Sequence, residues 1–513
     1  MSCRYALALS FLLPLTLLAK SSDPEWQQAK AEAMRDLAAS DAGKRIAAVK
    51  KLAAADRQEA ADILLKLSAV AQRALAPLFA EKTRLLGHLD KFNGRDKFTQ
   101  EEVDKMQALQ EELSGIGEKM RVEESVRTAV VEALGSLTDA DAVKWLLATP
   151  LKGSSWEDRA VVAEACATIA DPAVVPALLD RVKADSDPRV RTAAIDSLGK
   201  KKAAEAASIV AGALADDDWQ VQIAALQALG EFGSKDGIEP IVALMAKADG
   251  RLRKECSAAL ARITGEKLGD DPTVWRRWWD DHKAGWAGPK AAGDEVKPPS
   301  DPNGTTVTFY GIPVDSKRLV FVLDISGSMR EPADVQQQVV SGGPGDGPGP
   351  KPGATKMEVA KYELKKAIRG LDAKAQFNII FFSNTPEKWA PALVTATPAN
   401  KAAAYALIEK QQPTAATNIY DSLEMAFNMA LNGAGNVVVS DKNYKSSVDT
   451  IFLMSDGAPN QGQIVQTDEI LKKIKEMNRL RKVIINVIGV GRDQVEAFMR
   501  SLAEQNGGKY VKR

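Results

Sequence analysis

Cysteine is almost missing from this chain: 513 residues contain three, and Cys3 stands ahead of the first apolar run, not after it as a lipidated cysteine would. Cys166 and Cys256 fall on apolar helical positions several repeats apart, whereas a disulfide needs α-carbons within about 7 Å. Both read as reduced core thiols, so the chain holds together by burial and is no disulfide scaffold. Histidine is scarcer, at two residues. His88 and His282 both lie in the first 300 residues, which excludes a histidine-ligated zinc centre or a hydrolase triad from the C-terminal part. Net charge is also absent, since Lys plus Arg and Asp plus Glu are both 68 and 68 − 68 = 0. With no basic run interleaved with aromatics, nothing asks for nucleic acid or an anionic membrane as partner.

Long apolar runs are confined to the N-terminus. Residues 1–22 have a short basic start with Arg4, an apolar stretch from Tyr5 to Leu18 and small residues at Ala19 and Ser21, the pattern of an export signal cleaved near Ser21. An uncleaved anchor is the alternative, although the stretch is shorter than the roughly 20 residues that span a bilayer. No other segment reads as a span. The expected location is therefore exported: periplasmic, extracellular or at the cell surface.

What the chain does have is helix. Residues 23–123 are rich in Ala, Leu, Glu, Lys and Gln at helical spacing, as in KRIAAVKKLAAAD. One break, Leu89 to Val103, has the length of a calcium loop, but Phe92 and Gly94 stand where oxygen ligands belong and Arg95 replaces the glycine. It reads as a turn closed by a capping box of Thr99 and Glu102. Over residues 124–286 a repeat appears: Val126, Val161, Val190, Val221 and Leu252 each have an apolar partner eight residues on, at Leu134, Ile169, Leu198, Leu229 and Leu260. A small residue follows each, at Gly135, Ala170, Gly199, Gly230 and Ala261. Two short helices per unit cannot bury their own apolar faces, so stacking is obligatory. Trp275, Trp278, Trp279 and Trp286 follow the last unit; they read as a cap on the open end, with an aromatic ligand platform as the alternative. Residues 287–305 collect Gly, Pro and charge without periodicity, and read as a linker.

Residues 306–513 alternate strand and helix, the pattern of a doubly wound, mostly parallel sheet. Strands are expected at Arg318–Asp324, Phe377–Ser383, Trp389–Val394, Asp449–Ser455, Val483–Val490 and Lys509–Val511. The run Leu319 to Leu323 is apolar throughout, as a strand covered on both faces must be. It ends on Asp324, and Ser326 and Ser328 follow at every second position on one loop. Asp456 ends another apolar strand, TIFLMSD, and TAATNIYDSL carries Thr417. Two carboxylates and three hydroxyls at strand ends form an oxygen set suited to a hard divalent cation. The bland alternative, in which the serines cap a helix and Asp456 ends a strand, does not require all three segments.

Two resemblances rest on these residues. SVRTAVVEALG, DPRVRTAAIDSLG and RLRKECSAALARITG resemble short HEAT-type repeats of the phycobilisome-lyase-like kind. DISGS with Thr417 and Asp456 resembles the metal-ion-dependent adhesion site (MIDAS) of von Willebrand factor A domains, here of an exported bacterial type. The resemblance implies an all-α HEAT-like solenoid followed by an α/β doubly wound A-like domain. It implies metal ligands Asp324, Ser326, Ser328, Thr417 and Asp456, the serines and Thr417 binding directly and the aspartates partly through water. It further implies magnesium, with manganese or calcium as alternatives, and a protein partner whose Asp or Glu completes the metal's coordination. No catalytic residue is expected, because the phosphatase version of such a fold needs a second carboxylate where Ser326 stands. The chain departs from the family at Ala415 and Ala416, where two glycines are usual, and in a Gly- and Pro-rich insertion, residues 330–354. The expected function is thus a non-enzymatic adhesion protein with the helical repeats as a second protein-binding surface. A scaffold with a purely structural ion and a lyase by analogy with the repeats are the alternatives.

Overall fold

The structure, a computed structural model, describes residues 24–39, 41–89, 99–286, 288, 307–333, 349–351, 353–414, 416–431, 448–491 and 495–513. The leader at 1–22, the turn at 90–98, Ala415, nearly all of the linker at 287–305 and most of the insertion at 330–354 lie outside the described residues.

Helices α1 (Pro24–Leu37) and α2 (Ala42–Ala53) lead into a long hairpin of α3 (Gln58–Leu89) and α4 (Gln100–Gly135). The hairpin's far end has its own core, in which Leu78, Leu85 and Leu89 meet Leu109, Leu113, Ile116 and Met120. Thr99 and Glu102 form the expected capping box. By length and composition α3 could cross a membrane, which corrects the sequence reading that no second segment could. Its fold gives that apolarity another use, because Leu64 and Leu85 are buried in protein cores and the hairpin docks on the rest of the chain.

Short helices follow in four pairs, α5 (Ala140–Ala148) and α6 (Trp156–Ala165), α7 (Val174–Ala184) and α8 (Pro188–Lys201), α9 (Ala207–Gly212) and α10 (Trp219–Phe232), α11 (Ile238–Lys247) and α12 (Gly250–Thr264), and then a single helix α13 (Pro272–His282). The repeat valines at 126, 161, 190 and 221 are buried in one continuous core or against it, while Leu252 is partly buried. The small residues let neighbours close in: a Cβ at Gly199 would lie 3.3 Å from the Cβ of Ala228. A polar clasp recurs with the repeat. Arg159 grips Asp185 through two bonds of 2.8 Å, and Arg191 grips Asp216 at 2.7 and 2.8 Å. Trp275 is fully buried with Trp278 edge-on to it, and Trp279 and Trp286 pack on Trp278.

The C-terminal part opens with a small hairpin, β1 (Thr308–Phe309) and β2 (Ile312–Pro313), which was not foreseen. Then come β3 (Arg318–Asp324), α14 (Lys356–Gly370), β4 (Gln376–Phe382), β5 (Pro386–Lys388), β6 (Ala392–Thr395), α15 (Pro398–Lys410), α16 (Ile419–Phe427), β7 (Ala430–Leu431), β8 (Thr450–Ser455), α17 (Thr467–Asn478), β9 (Ile484–Gly489), α18 (Glu496–Gln505) and β10 (Tyr510–Lys512). The sheet order is β10-β9-β8-β3-β4-β6-β7, with β5 also on β4. Strands β10, β9, β8, β3 and β4 run parallel, and β5 and β6 are antiparallel to β4. The expected strand near Trp389–Val394 is split into β5 and β6. Buried Asn378 explains the split: its Nδ2 donates to the carbonyls of Ala390 and Ala392, and its Oδ1 accepts from the Ala390 amide, replacing the ladder there.

The two halves are docked. Arg121 pairs with Glu469 at 2.6 Å and Lys482 with Asp196 at 2.8 Å. Lys473 pairs with Glu124, Arg479 with Glu164, Lys317 with Asp249, and Lys82 with Glu424. The face of the helical half that carries these residues is therefore occupied by the chain's own sheet unit. Only the remaining surface is open to a second partner.

Cys166 and Cys256 are free and buried, and burial pushes both thiols up to about 12. Neither should react with iodoacetamide at pH 8 in the folded protein, and both should react in denaturant, as counted by mass spectrometry. Labelling in the native state would mean that the repeat core opens.

Candidate metal centre

In an open parallel sheet, ligands sit beyond the carboxyl ends of the strands where successive connections diverge. Here that point lies between β3, whose chain continues to β4 on one side, and β8, whose chain continues to β9 on the other. Asp324 ends β3 and Asp456 follows β8 directly. Both strands are apolar runs buried on both faces, so their carboxylates emerge at a fixed height beside one another.

Four of the five expected residues form one network. Asp324 Oδ1 accepts the Ser326 amide at 2.7 Å and its Oδ2 accepts the Ser455 hydroxyl at 2.5 Å. The Ser326 and Ser328 hydroxyl oxygens are 3.1 Å apart. Both hydroxyls donate to Asp456 Oδ1, Ser328 at 2.8 Å and Ser326 at 3.4 Å. Asp324, Ser326 and Asp456 are all essentially inaccessible, and Thr417 nearly so. Burial pushes the Asp324 carboxyl up to about 6; the Ser455 and Ser326 hydrogen bonds oppose that shift, and neighbouring Asp456 adds to it.

Thr417 stands one loop away. A Cβ on Gly457 would lie 3.5 Å from its hydroxyl, so the side chain borders the residue after Asp456. Asn460 fastens the loop, accepting the Thr417 amide on Oδ1 at 2.8 Å and donating its own amide to the Thr417 carbonyl at 3.1 Å. Among the described residues no hydrogen bond joins the Thr417 hydroxyl to the other four candidates. Gly462 holds φ +107°, and a Cβ there would strike Asn418 Oδ1 at 2.1 Å, so only glycine fits that turn.

Sequence reasoning missed three groups. Ser455, one residue before Asp456, orients Asp324. Lys356, at the start of α14, is 4% exposed and donates to Asp456 Oδ2 at 2.9 Å and to Glu331 Oε2 at 2.7 Å. Burial opposes its charge, but the two carboxylates outweigh burial and hold the ammonium above its ordinary value. Glu331 belongs to the segment read as an insertion. The only advance signal was the Thr355–Glu358 capping box, which is present and fixes where α14 begins.

An octahedral ion with metal–oxygen bonds of about 2.1 Å has adjacent ligand oxygens about 3 Å apart. Ser326 Oγ, Ser328 Oγ and Asp456 Oδ1 are separated by 2.8 to 3.4 Å, one triangular face of such a shell. The donors therefore fit a small divalent cation. Among the described residues no cluster of three or more His, Cys, Asp or Glu exists, so a cation here would rest on hydroxyls as much as on carboxylates.

Residues 353–512 match the family model of the von Willebrand factor type A domain, and residues 146–221 and 207–284 match that of HEAT repeats. The A-domain match begins after Asp324, Ser326 and Ser328. Inter-alpha-trypsin inhibitor heavy chain H2 of Sus scrofa is 32% identical over 192 residues, covering 37% of this chain and 17% of that protein. The Homo sapiens H2 chain is 31% identical over 209 residues, covering 40% and 19%. The chain thus spans less than a fifth of these relatives. Among solved structures, a von Willebrand factor type A protein from Catenulispora acidiphila aligns over 39% of each chain at 19% identity and TM-score 0.28. BatB from Bacteroides thetaiotaomicron aligns over 38% of this chain and 89% of its own at 18% identity and TM-score 0.26. Proximal thread matrix protein 1 from mussel byssus, described with a zinc-occupied MIDAS motif, aligns over 38% and 40% at 18% identity and TM-score 0.25.

Proposed function

Because this chain joins HEAT repeats to a von Willebrand factor type A domain, we propose that it is an exported, non-enzymatic binding protein whose centre at Asp324, Ser326, Ser328, Thr417 and Asp456 holds a divalent cation and through it an acidic group of a partner protein. One observation carries this reading: the triangle of Ser326, Ser328 and Asp456 oxygens, with Asp324 turned behind it by Ser455 and the Ser326 amide. Hydroxyl ligands cancel no charge, so a cation held mainly by them keeps positive charge for an incoming carboxylate. Magnesium retains exchangeable waters and suits that exchange, and manganese prefers similar oxygen ligands.

An enzyme reading has less support. His282 stacks on Trp278 in the solenoid cap, and Lys356 is committed to two carboxylates. Neither His282 nor Lys356 is therefore a free base for a nucleophile at the centre.

The test is calorimetric titration of the full chain with magnesium and with manganese. Saturable binding to one site is expected, and it should vanish in Asp324→Asn and fall at least about tenfold in Ser328→Ala. Wild-type protein that binds neither ion up to millimolar concentration would sink the reading.

A further inference from the structure

The hairpin of α3 and α4 reaches the metal face. Its contact there is specific. Lys82, on α3, is 3% exposed and donates to Glu424 of α16 and, at 2.9 Å, to Gln463 Oε1. On α4, a Cβ at Gly117 would lie 2.6 Å from that same Gln463 oxygen, so the helix backbone presses directly on the loop after Asn460. That loop is the one Asn460 ties to Thr417. The hairpin is thus a fixed neighbour of the metal loops.

Beyond this contact the two surfaces part and leave a cleft of about 520 Å³, within the usual size range of ligand sites. Its hairpin wall carries Gln107, Gln110 and Ser114, and its opposite wall carries Asn384, Asn418 and Gln461. Asn418 is adjacent to Thr417, and Asn384 accepts the Ala416 amide on Oδ1 at 3.1 Å, so this wall is continuous with the metal loop. Leu89, Leu113 and Met425 supply apolar surface between the walls.

This chemistry selects an occupant. Asn418 is buried and spent on Asn384 and Asp421, but the amides of Gln107, Gln110 and Gln461 each carry a donor and an acceptor, the pair that an extended peptide backbone presents at every residue. Among the described residues no lysine or arginine lines the cleft, and Glu111 and Asp421 do, so this lining disfavours a polyanion. Aromatic side chains are absent from the lining among the described residues, so these residues provide no stacking platform for a base or sugar ring.

We propose that this cleft seats an extended polypeptide segment whose Asp or Glu reaches the metal centre, with neutral or basic residues beside it lying between the hairpin and the metal loops. The proposal rests on the metal-dependent reading above. The hairpin, not the A domain alone, then decides which acidic segment is accepted, because the metal sees only a carboxylate.

A phage-displayed library of random dodecapeptides, panned on the full chain in magnesium and eluted with EDTA, tests it. Selected peptides should share one Asp or Glu with neutral or basic neighbours. Measured singly by fluorescence anisotropy, they should bind Ser114→Trp, which fills the cleft, and Gln107→Glu, which adds charge to it, at least about tenfold more weakly. Magnesium affinity by calorimetry should stay within about twofold of wild type, showing that both variants are folded and loaded. Selected peptides that bind both variants as tightly as wild type would overturn the cleft proposal and leave the metal reading intact. Intact magnesium binding with no EDTA-eluted peptide would overturn the partner class in both readings, whereas absent magnesium binding would locate the failure in the metal centre.

Discussion

Lys82→Met is expected to lower the unfolding free energy by about 3–5 kcal/mol, the usual penalty for orphaning one member of a buried ion pair. Lys82 and Glu424 are 3% and 5% exposed, so neither charge has water to fall back on. Removing the ammonium leaves the Glu424 carboxylate without its cation and Gln463 without its donor, since Lys82 serves both. The double variant Lys82→Met, Glu424→Leu should recover most of the loss, because two apolar side chains of similar volume need no pairing. Urea unfolding followed by circular dichroism reads both numbers. A single variant within about 1 kcal/mol of wild type would show that the hairpin is not clamped to the A domain. The cleft would then lack a fixed wall.

Lys356→Met should tighten magnesium binding by about ten- to a hundredfold. The ammonium sits 2.9 Å from Asp456 Oδ2 and must be displaced, or its field overcome, when a dication binds the same carboxylate. At an effective dielectric of about 20, a unit charge pair at that separation interacts by about 6 kcal/mol gross. Glu331 keeps hold of the ammonium at 2.7 Å and recovers part of that, which leaves a net effect of one to two powers of ten. Calorimetry at constant ionic strength measures it. Weaker binding in the variant would mean that Lys356 positions Asp456 for the ion instead of competing with it.

The loop that carries Asp324, Ser326 and Ser328 was legible because its signal is local. An apolar run that ends on Asp324 and spaces Ser326 and Ser328 by two needs only strand periodicity to be placed, and β3 begins and ends as expected at Arg318 and Asp324. Asp456 was legible for the same reason. Lys356 was not, because 32 residues separate it from Asp324 and its path back to Asp456 depends on how α14 packs on the sheet. The split between β5 and β6 was hidden likewise: buried Asn378 on the adjacent strand β4 diverts the backbone at Ala390 and Ala392.

Sequence alone determined the stacked helices, the alternation of strand and helix, the Thr99 and Thr355 capping boxes and the oxygen donors at the strand ends, since each follows from periodicity or from neighbours in the chain. Tertiary structure alone decided that the helical half is docked on the A domain, that Lys82 is spent on Glu424, and that the α3–α4 hairpin packs beside the loops of the candidate centre. The Lys82–Glu424 and Arg121–Glu469 contacts among them join residues more than 300 apart. No local preference encodes such pairing, because complementary burial fixes it only once both halves have folded.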